Sequence, residues 1–535
     1  MPDLSGQWYR AQGKKQGDAV RNTLMHVSLI TADYVGRLGK GRDSAAESGE
    51  AFARVARRAA GGAAWVLAAF AAGKLLGFGT NIVLARLLTP ADFGLVSFAM
   101  ILIGAFLLLQ DLGVGPALIY SRRDIAAIGG TALTLNVATA LGLFVLTLIG
   151  SSIYAAFGQS ETIAAIVVLL AFGLVITAAG SVQGALLTKE LAFRKKLIPD
   201  VAPLVVSGCI AIGLALAGWG VWSLVAGYLA KNLATTLLLW ALSPVRPWPR
   251  FDRAVARELL GYGGHISLSS VIGFAVMNVD YFIIGRVLGV GPLGLYTLAF
   301  MIGTLPSALV GQQIATAIFP AYSRIRNSPE ALNRLFGNVF AISATLSVAL
   351  GAAVFVGAPT IVGPILGAKW LGIVEPLRIL ALFGVLRAVE FTFSPLYRAI
   401  GRPEIMWVSS LIRLIVLAPL LYLAAGYGIN GVAIVQAVVG AIVIPLNGAI
   451  LMRLLNLSPG TVGQLIAPQL TGATALAAIV VIGYHYPPLI RLIHTPLGAT
   501  AIVGVAILVY LGIVAALSPA LIAPLRGRVV GWARG

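Results

Sequence analysis

Apolar stretches of about twenty residues recur along nearly the whole chain, broken by short polar or basic turns, and that length is what an α-helix needs to cross a hydrocarbon core. The pattern predicts fourteen such helices, at approximately 64–86, 93–115, 127–150, 162–182, 201–217, 220–241, 264–286, 293–317, 336–357, 372–395, 405–425, 430–454, 465–484 and 496–517. Only Ala217 to Trp219 separate the fifth from the sixth, and the thirteenth is interrupted near Tyr484 to Pro488. The expected fold class is therefore an all-α polytopic membrane protein.

One segment of the pattern occurs twice. Placing Thr80 to Met100 over Asp280 to Phe300 pairs Arg86 with Arg286, Leu88 with Leu288, Gly94 with Gly294, Leu95 with Leu295 and Ala99 with Ala299. Each copy sets an arginine near the end of one apolar span, then a short turn with Pro or Gly, then a new span opening at Gly-Leu. Two similar bundles are the usual framework of a transporter, because a site between them is exposed to either side when one rocks against the other. The expected organisation is a basic arm over 1–62, a six-helix lobe over 63–242, an inter-lobe linker over 243–262, a second six-helix lobe over 263–456, two further helices over 457–520 and a basic tail over 521–535.

Composition strengthens the membrane reading: 59% of residues are hydrophobic, 11% are charged and the mean hydropathy is +0.94. A soluble domain of this length has no interior able to hold so many apolar residues. The net charge of +19 resolves into an orientation signal. With both termini on the cytoplasmic side, 29 of the 38 Lys and Arg fall in inside segments, and the outside segments hold only Arg86, Arg286, Lys369 and Arg491. That bias follows the positive-inside rule. Basic residues spread over eight segments form no continuous groove, so no nucleic acid is expected as a partner. The polar arm from Met1 to Ala60 is expected to rest on anionic headgroups through Arg54, Arg57 and Arg58. No cleavable signal peptide is expected.

Five cations remain inside the spans. Lys74, Lys231, Arg387 and Arg413 lie near the middle of their helices, and Arg378 lies closer to the outer end of the tenth. Each costs roughly 2.5 to 3.5 kcal/mol at a lipid-exposed bilayer centre, so they are expected to face an aqueous cavity or a partner. Arg387 and Glu390 are three apart, as are Glu375 and Arg378, so each pair is able to neutralise itself locally. At 100° per residue Arg378 and Arg387 point to opposite sides of their helix.

Four motifs stand out along the chain: Leu87-Leu-Thr-Pro-Ala-Asp-Phe-Gly94 with Asp111-Leu-Gly-Val-Gly115, Asp280-Tyr-Phe-Ile-Ile-Gly-Arg286 with Gly294-Leu-Tyr296, Phe319-Pro-Ala-Tyr-Ser-Arg324 and Tyr397-Arg-Ala-Ile-Gly-Arg-Pro403. Together they resemble the motifs of bacterial polysaccharide flippases in the multidrug/oligosaccharidyl-lipid/polysaccharide exporter superfamily. The resemblance spans about residues 64–520. It departs from the family at Tyr120, where relatives often carry Gln, and in the long polar arm, within which Met25 is an internal candidate start. It implies two six-helix lobes with two extra C-terminal helices, alternating access, and an oligosaccharide on undecaprenyl diphosphate as cargo. It also implies a bacterial inner-membrane location. Glycosyltransferases and a polysaccharide polymerase are the expected functional partners, beside membrane lipids.

A diphosphate needs cationic donors in place of lost water, and Arg offers a bidentate fork to its oxygens. Lys74, Lys231, Arg387 and Arg413, with Arg378 as a weaker member, are thus the expected substrate-binding residues. Asp280 and Glu390 are the candidates for ion coupling. Enzyme chemistry is not expected. His26, His265, His485 and His494 match no metal-ligand spacing, and Gly285, Gly289, Gly291 and Gly294 follow no strand, so neither a metal nor a nucleotide cofactor is expected. A single cysteine, Cys209, rules out an intramolecular disulfide. The rival readings are a drug/cation antiporter of the same superfamily, whose site would favour buried carboxylates and aromatics, and a membrane glycan polymerase, which would need a long outer loop for its chemistry.

Overall fold

The computed structural model describes residues 72–517 apart from 112–113, 121–124, 157–160, 191–192, 458 and 486–495. The expected tails, together with Arg122, Arg123 and Arg491, lie outside the described residues. With no water in a hydrocarbon layer, each backbone N–H and C=O must bond within its own segment, so apolar spans become helices; no strand occurs among the described residues.

The first bundle contains α1 (72–87), α2 (Pro90–Asp111), α3 (Val114–Tyr120), α4 (Ile125–Ala156), α5 (Glu161–Lys189), α6 (Phe193–Leu216) and α7 (Val221–Leu242). The second contains α8 (Arg253–Val287), α9 (Val290–Gly303), α10 (Gln312–Ile325), α11 (Pro329–Ile361), α12 (Val374–Glu390), α13 (Phe393–Ala399), α14 (Glu404–Ala425) and α15 (Gly428–Leu454). In the first, α5 packs against α2, α4 and α7; in the second, α12 packs against α9, α11 and α15, and α14 against α8 and α15. The last two helices, α16 (Pro459–His485) and α17 (Pro496–Leu517), pack on each other and on α11, with Tyr510 buried against Gly472.

Nine helices among the described residues are long and apolar enough to cross a membrane, or ten with one bent pair counted as a span. The sequence pattern expects fourteen, and the difference has identifiable sources. Residues 64–71 of the first span are outside the described part, the seventh lies inside the 35-residue α8, and the last two have apolar stretches of only Ile466–Ile479 and Ala501–Leu517. The close fifth and sixth spans do form separate helices. Their turn runs through Gly218 and Gly220, whose φ of 82° and 53° is the left-handed conformation that a residue with a Cβ resists.

The eighth span, expected as one helix over 293–317, is bent by 48° between α9 and α10. Pro306 offers no N–H to the helical ladder, and a π turn at Ser307–Gly311 follows it. Glycines seat the bend against α12: a Cβ on Gly303 would lie 2.7 Å from Leu380 Cβ, one on Gly311 2.7 Å from Ala388 Cα, and one on Gly384 would overlap the Gly303 carbonyl. Backbone-to-backbone contact of this kind fixes the rotation of α12 about its axis, and with it the direction of Arg387.

The repeated segments touch one another. Helices α2 and α9 cross between the bundles at Gly94 and Gly294, where a Cβ on Gly94 would overlap the Val290 carbonyl and a Cβ on Gly294 would overlap the Pro90 carbonyl. These are the same two repeat positions seen from each side, so the crossing has its own two-fold relation. Beside it the contact is asymmetric. Arg86 donates to the carbonyls of Pro364 and Ile365, Lys369 Nζ donates to Arg86 O at 2.8 Å, and buried Trp370 donates to Ala85 O at 2.7 Å while meeting the Phe93 ring edge-on at 5.4 Å. These bonds close the bundles at the end that carries Arg86, Arg286 and Lys369.

Candidate functional site

Between α8, α12, α13, α14 and α15 lies a cavity of about 340 Å³. Helical periodicity explains which side chains reach it. In α14, Arg413 shares a face with Leu417, Leu421 and Ala425, all buried in the inter-helix core, so the same packing that hides those residues carries Arg413 inward. It is 8% exposed, and its Nη1 lies 3.3 Å from Glu390 Oε2 across the helix pair. From α12, Arg387 Nη2 donates to Met277 Sδ of α8 at 3.0 Å. Its guanidinium stands 5.9 Å from the centroid of Phe383, and that of Arg413 stands 5.5 Å from the same ring. One aromatic ring therefore holds two cations, an attraction that persists where water is scarce. Two guanidiniums against one carboxylate leave a net positive charge on the wall.

Polar residues that interrupt apolar spans complete the lining. Ser409 donates to Asn447 Oδ1 at 2.7 Å, Tyr397 donates to Asn447 O at 2.7 Å, and Ser394, Ser410 and Gln436 also face the cavity. Ser394, Ser409, Ser410, Gln436 and Asn447 stand in the sequence as uncharged polar residues inside apolar helices, a signal weaker than charge. Met277 walls a second cavity as well, lined from the first bundle by Val96, Ser97, Met100 and Ile101 and from the second by Asn278, Tyr281 and Phe300. The arginine cavity thus adjoins the space between the bundles through a single methionine.

The other expected binding residues are placed differently. Arg378 bonds Glu375 at 3.1 Å and lies 5.7 Å from the Phe355 ring of α11, on the side of α12 opposite Arg387. That is what nine residues at 100° each require. Lys74 and Lys231 are exposed on α1 and α7 and line none of the cavities described here. Their faces are informative. Lys74 precedes Ala85 by eleven residues, about three turns or roughly 16 Å along one face, and Ala85 is where Trp370 bonds across the bundles. Lys231 follows Leu224 by seven, on the face that packs into the core shared by both bundles. Glu390 turns to Arg413 rather than to Arg387.

Asp280 is fully buried on α8. It accepts hydrogen bonds from Tyr281 N at 2.9 Å, Tyr296 Oη at 2.8 Å and Gln436 Nε2 at 2.9 Å, tying α8 to α9 and α15 behind the arginine cavity. Tyr296 belongs to the Gly294-Leu-Tyr296 motif that the sequence pairs with Asp280, whereas Gln436 carries no charge and stands in no motif. An amide at 280 offers one acceptor oxygen where these three donors need two, so Asp280→Asn is expected to destabilise the protein by about 1–3 kcal/mol. Thermal unfolding in detergent checks this, and an unchanged midpoint refutes it.

The motifs behind the family resemblance have local roles too. Thr89 N and Oγ1 both donate to Asp92 Oδ2, at 2.8 and 2.7 Å, and Asp92 N returns a bond to Thr89 Oγ1, which caps the start of α2. Asp111 Oδ1 accepts from Gly115 N at 3.1 Å where α2 gives way to α3. Arg398 stacks 5.3 Å from Phe319, joining two of the motifs in one contact.

The family model described as a polysaccharide biosynthesis protein matches residues 83–375. The chain is 25% identical over 352 residues to the lipopolysaccharide biosynthesis protein WzxC of Escherichia coli (strain K12), covering 64% of this chain and 70% of that protein. It is 24% identical over 376 residues to the succinoglycan biosynthesis transport protein ExoT of Rhizobium meliloti (strain 1021), covering 68% and 73%. Its fold is similar to the lipid II flippase MurJ in an inward closed conformation, with a TM-score of 0.67 at 14% identity over 86% of this chain and 99% of that one. A multidrug resistance transporter in an inward-facing conformation follows with a TM-score of 0.58 at 19% identity, covering 72% and 95%.

Proposed function

Since the chain belongs to the polysaccharide biosynthesis protein family, we propose that it is a flippase for oligosaccharide carried on undecaprenyl diphosphate, moving it from the cytoplasmic to the periplasmic leaflet of the bacterial inner membrane. Export of an exopolysaccharide or O-antigen is the purpose this serves, upstream of a polymerase and downstream of glycosyltransferases. The observation that carries the reading is the pair Arg387 and Arg413 on one Phe383 ring, in a cavity within the helix bundle whose only carboxylate among the lining residues is Glu390. Such a wall attracts a diphosphate and repels a lipophilic cation, which places the drug/cation antiporter second.

With the N-terminus cytoplasmic, the latch of Arg86, Lys369 and Trp370 closes the periplasmic end, and cargo enters from the cytoplasmic side. Lys74 and Lys231 lie outside the arginine cavity and would meet the cargo from the first bundle, on helix faces that run toward the shared core. Rocking about the Gly94–Gly294 crossing opens the other end. Asp280 and Glu390 are the carboxylates at which a coupling cation would exchange with this cavity.

Carrying two negative charges outward, down an inside-negative potential, is favoured by roughly 4 to 5 kcal/mol per 100 mV. The test is outward transfer of lipid-diphosphate oligosaccharide in reconstituted vesicles, read by its accessibility to a lectin outside. Transfer should require the protein, and imposing a potential of this sign should accelerate it several-fold. No protein-dependent transfer would refute the flippase, and transfer indifferent to the potential would refute the electrophoretic drive.

A further inference from the structure

The linker between the bundles, Ser243 to Asp252, is extended and strapped to α4. Arg250 N donates to Gly130 O at 3.4 Å, Thr134 Oγ1 donates to Arg250 O at 2.9 Å, and Asp252 N donates to Thr131 Oγ1 at 3.1 Å. A Cβ on Gly130 would lie 2.6 Å from Trp248 O, so the strap is tight. Asp252 then caps α8, accepting from Ala254 N and Val255 N. A fixed segment therefore presents Arg246, Trp248, Arg250 and Phe251 outward, with Trp248 81% exposed and Phe251 64%.

Beside this strap is a groove of about 660 Å³ running along α4, floored by Ala179 of α5 and walled by Val137, Ala138, Leu141 and Trp240. Its only polar lining residues are Thr134 and Arg246, and Thr134 already bonds backbone oxygens. The surface combines an open apolar trough, an exposed tryptophan at its mouth and arginines on the same strap. Tryptophan prefers the level of lipid headgroups, and arginines beside a membrane attract anionic headgroups.

We propose that this groove is a binding site for an anionic glycerophospholipid, with one acyl chain along α4 and its phosphate on Arg246 and Arg250. The charge complementarity selects an anionic headgroup. The near absence of hydroxyl and amide groups in the lining argues against the sugar-bearing cargo as occupant. Which leaflet supplies the lipid follows from the orientation above, while binding itself does not depend on the transport reading. A lipid held there braces the linker against the first bundle, at the one covalent joint between the two halves.

Native mass spectrometry of the full chain, released from micelles holding equal phosphatidylglycerol and phosphatidylcholine with identical acyl chains, tests this. The wild-type protein should retain phosphatidylglycerol preferentially. Arg246→Gln with Arg250→Gln should reduce that preference by about fivefold for each arginine, and the two Lys substitutions should preserve it. Ala138→Trp, which fills the trough, should lower retention of both lipids, and Arg326→Gln with Arg334→Gln on another basic segment should change nothing. Equal retention of the two lipids by the wild-type protein, or a preference that survives the Gln pair, would overturn the proposal. Displacement of bound phosphatidylglycerol by undecaprenyl phosphate would overturn it as well, by making the groove a cargo-tail site.

Discussion

Arg413→Gln is expected to abolish outward transfer and to destabilise the protein, and the two effects are separable. Glu390, whose side chain is 27% exposed to the cavity, would lose its ion-pair partner, a loss that costs about 1–3 kcal/mol. Adding Glu390→Gln removes that stranded charge, so thermal stability of the double variant should return close to the starting value. Transfer should not return, because the cavity still lacks one of its two guanidiniums for the diphosphate. Arg387→Gln makes the complementary case. It touches Met277 Sδ and the rings of Phe383 and Phe391, so its removal should cost little stability while reducing transfer by more than tenfold, the scale of one lost charged hydrogen-bonding group. Stability is read by thermal unfolding and transfer by lectin accessibility in vesicles. Recovery of both stability and transfer in the Arg413→Gln/Glu390→Gln variant would show that the pair is a structural tie and not an anion site.

The second large effect is expected at the symmetric helix crossing. Gly94→Ala or Gly294→Ala introduces a Cβ onto a facing carbonyl oxygen, an atom of rigid backbone that has no rotamer with which to retreat. Overpacking of this order costs about 1–3 kcal/mol, which lowers the population of the closed end by about 5- to 150-fold. The native chain makes the measurement simple, since Cys209 is its single cysteine. In a Cys209→Ser background, Arg86→Cys with Pro364→Cys keeps the bonds of Lys369 and Trp370 to the backbone carbonyls at 86 and 85 and reports closure of that end by cross-linking. Cross-linking should be efficient with glycine at 94 and 294 and should fall at least fivefold with alanine at either, together with transfer. Gly142→Ala, where a Cβ meets nothing within 4 Å, is the control for a helical glycine changed without collision. Undiminished cross-linking in the Gly94 and Gly294 variants would remove the crossing from the closing device.

Much of this was legible along the chain. The apolar spans, the basic loops and the 200-residue repeat specify a helical membrane protein with two related halves, because a hydrocarbon solvent leaves the backbone no alternative to helices. The repeat also marked Gly94 and Gly294, though identity between copies says nothing of their touching. Charge singled out Arg387, Arg413 and Glu390, since an ionised group in an apolar span is costly enough to require an explanation. The same criterion could not rank the five cations. Arg378 differs from Arg387 only in which side of α12 it occupies, and that is set by glycines on a neighbouring helix.

The sequence by itself thus determined what must be buried and what must stay wet, because transfer free energies belong to side chains individually and are counted without knowing their neighbours. The tertiary structure alone decided partnership: that Glu390 answers Arg413 across two helices, that Asp280 is held by Tyr296 and Gln436, and that Arg86 reaches carbonyls 278 and 279 positions away. The physical reason is range. Hydrogen bonds and ion pairs act over a few ångströms between residues that the chain separates by tens to hundreds of positions. Their geometry depends on helix rotation and bending, which backbone packing at glycines such as Gly303 and Gly311 imposes from outside the helix concerned.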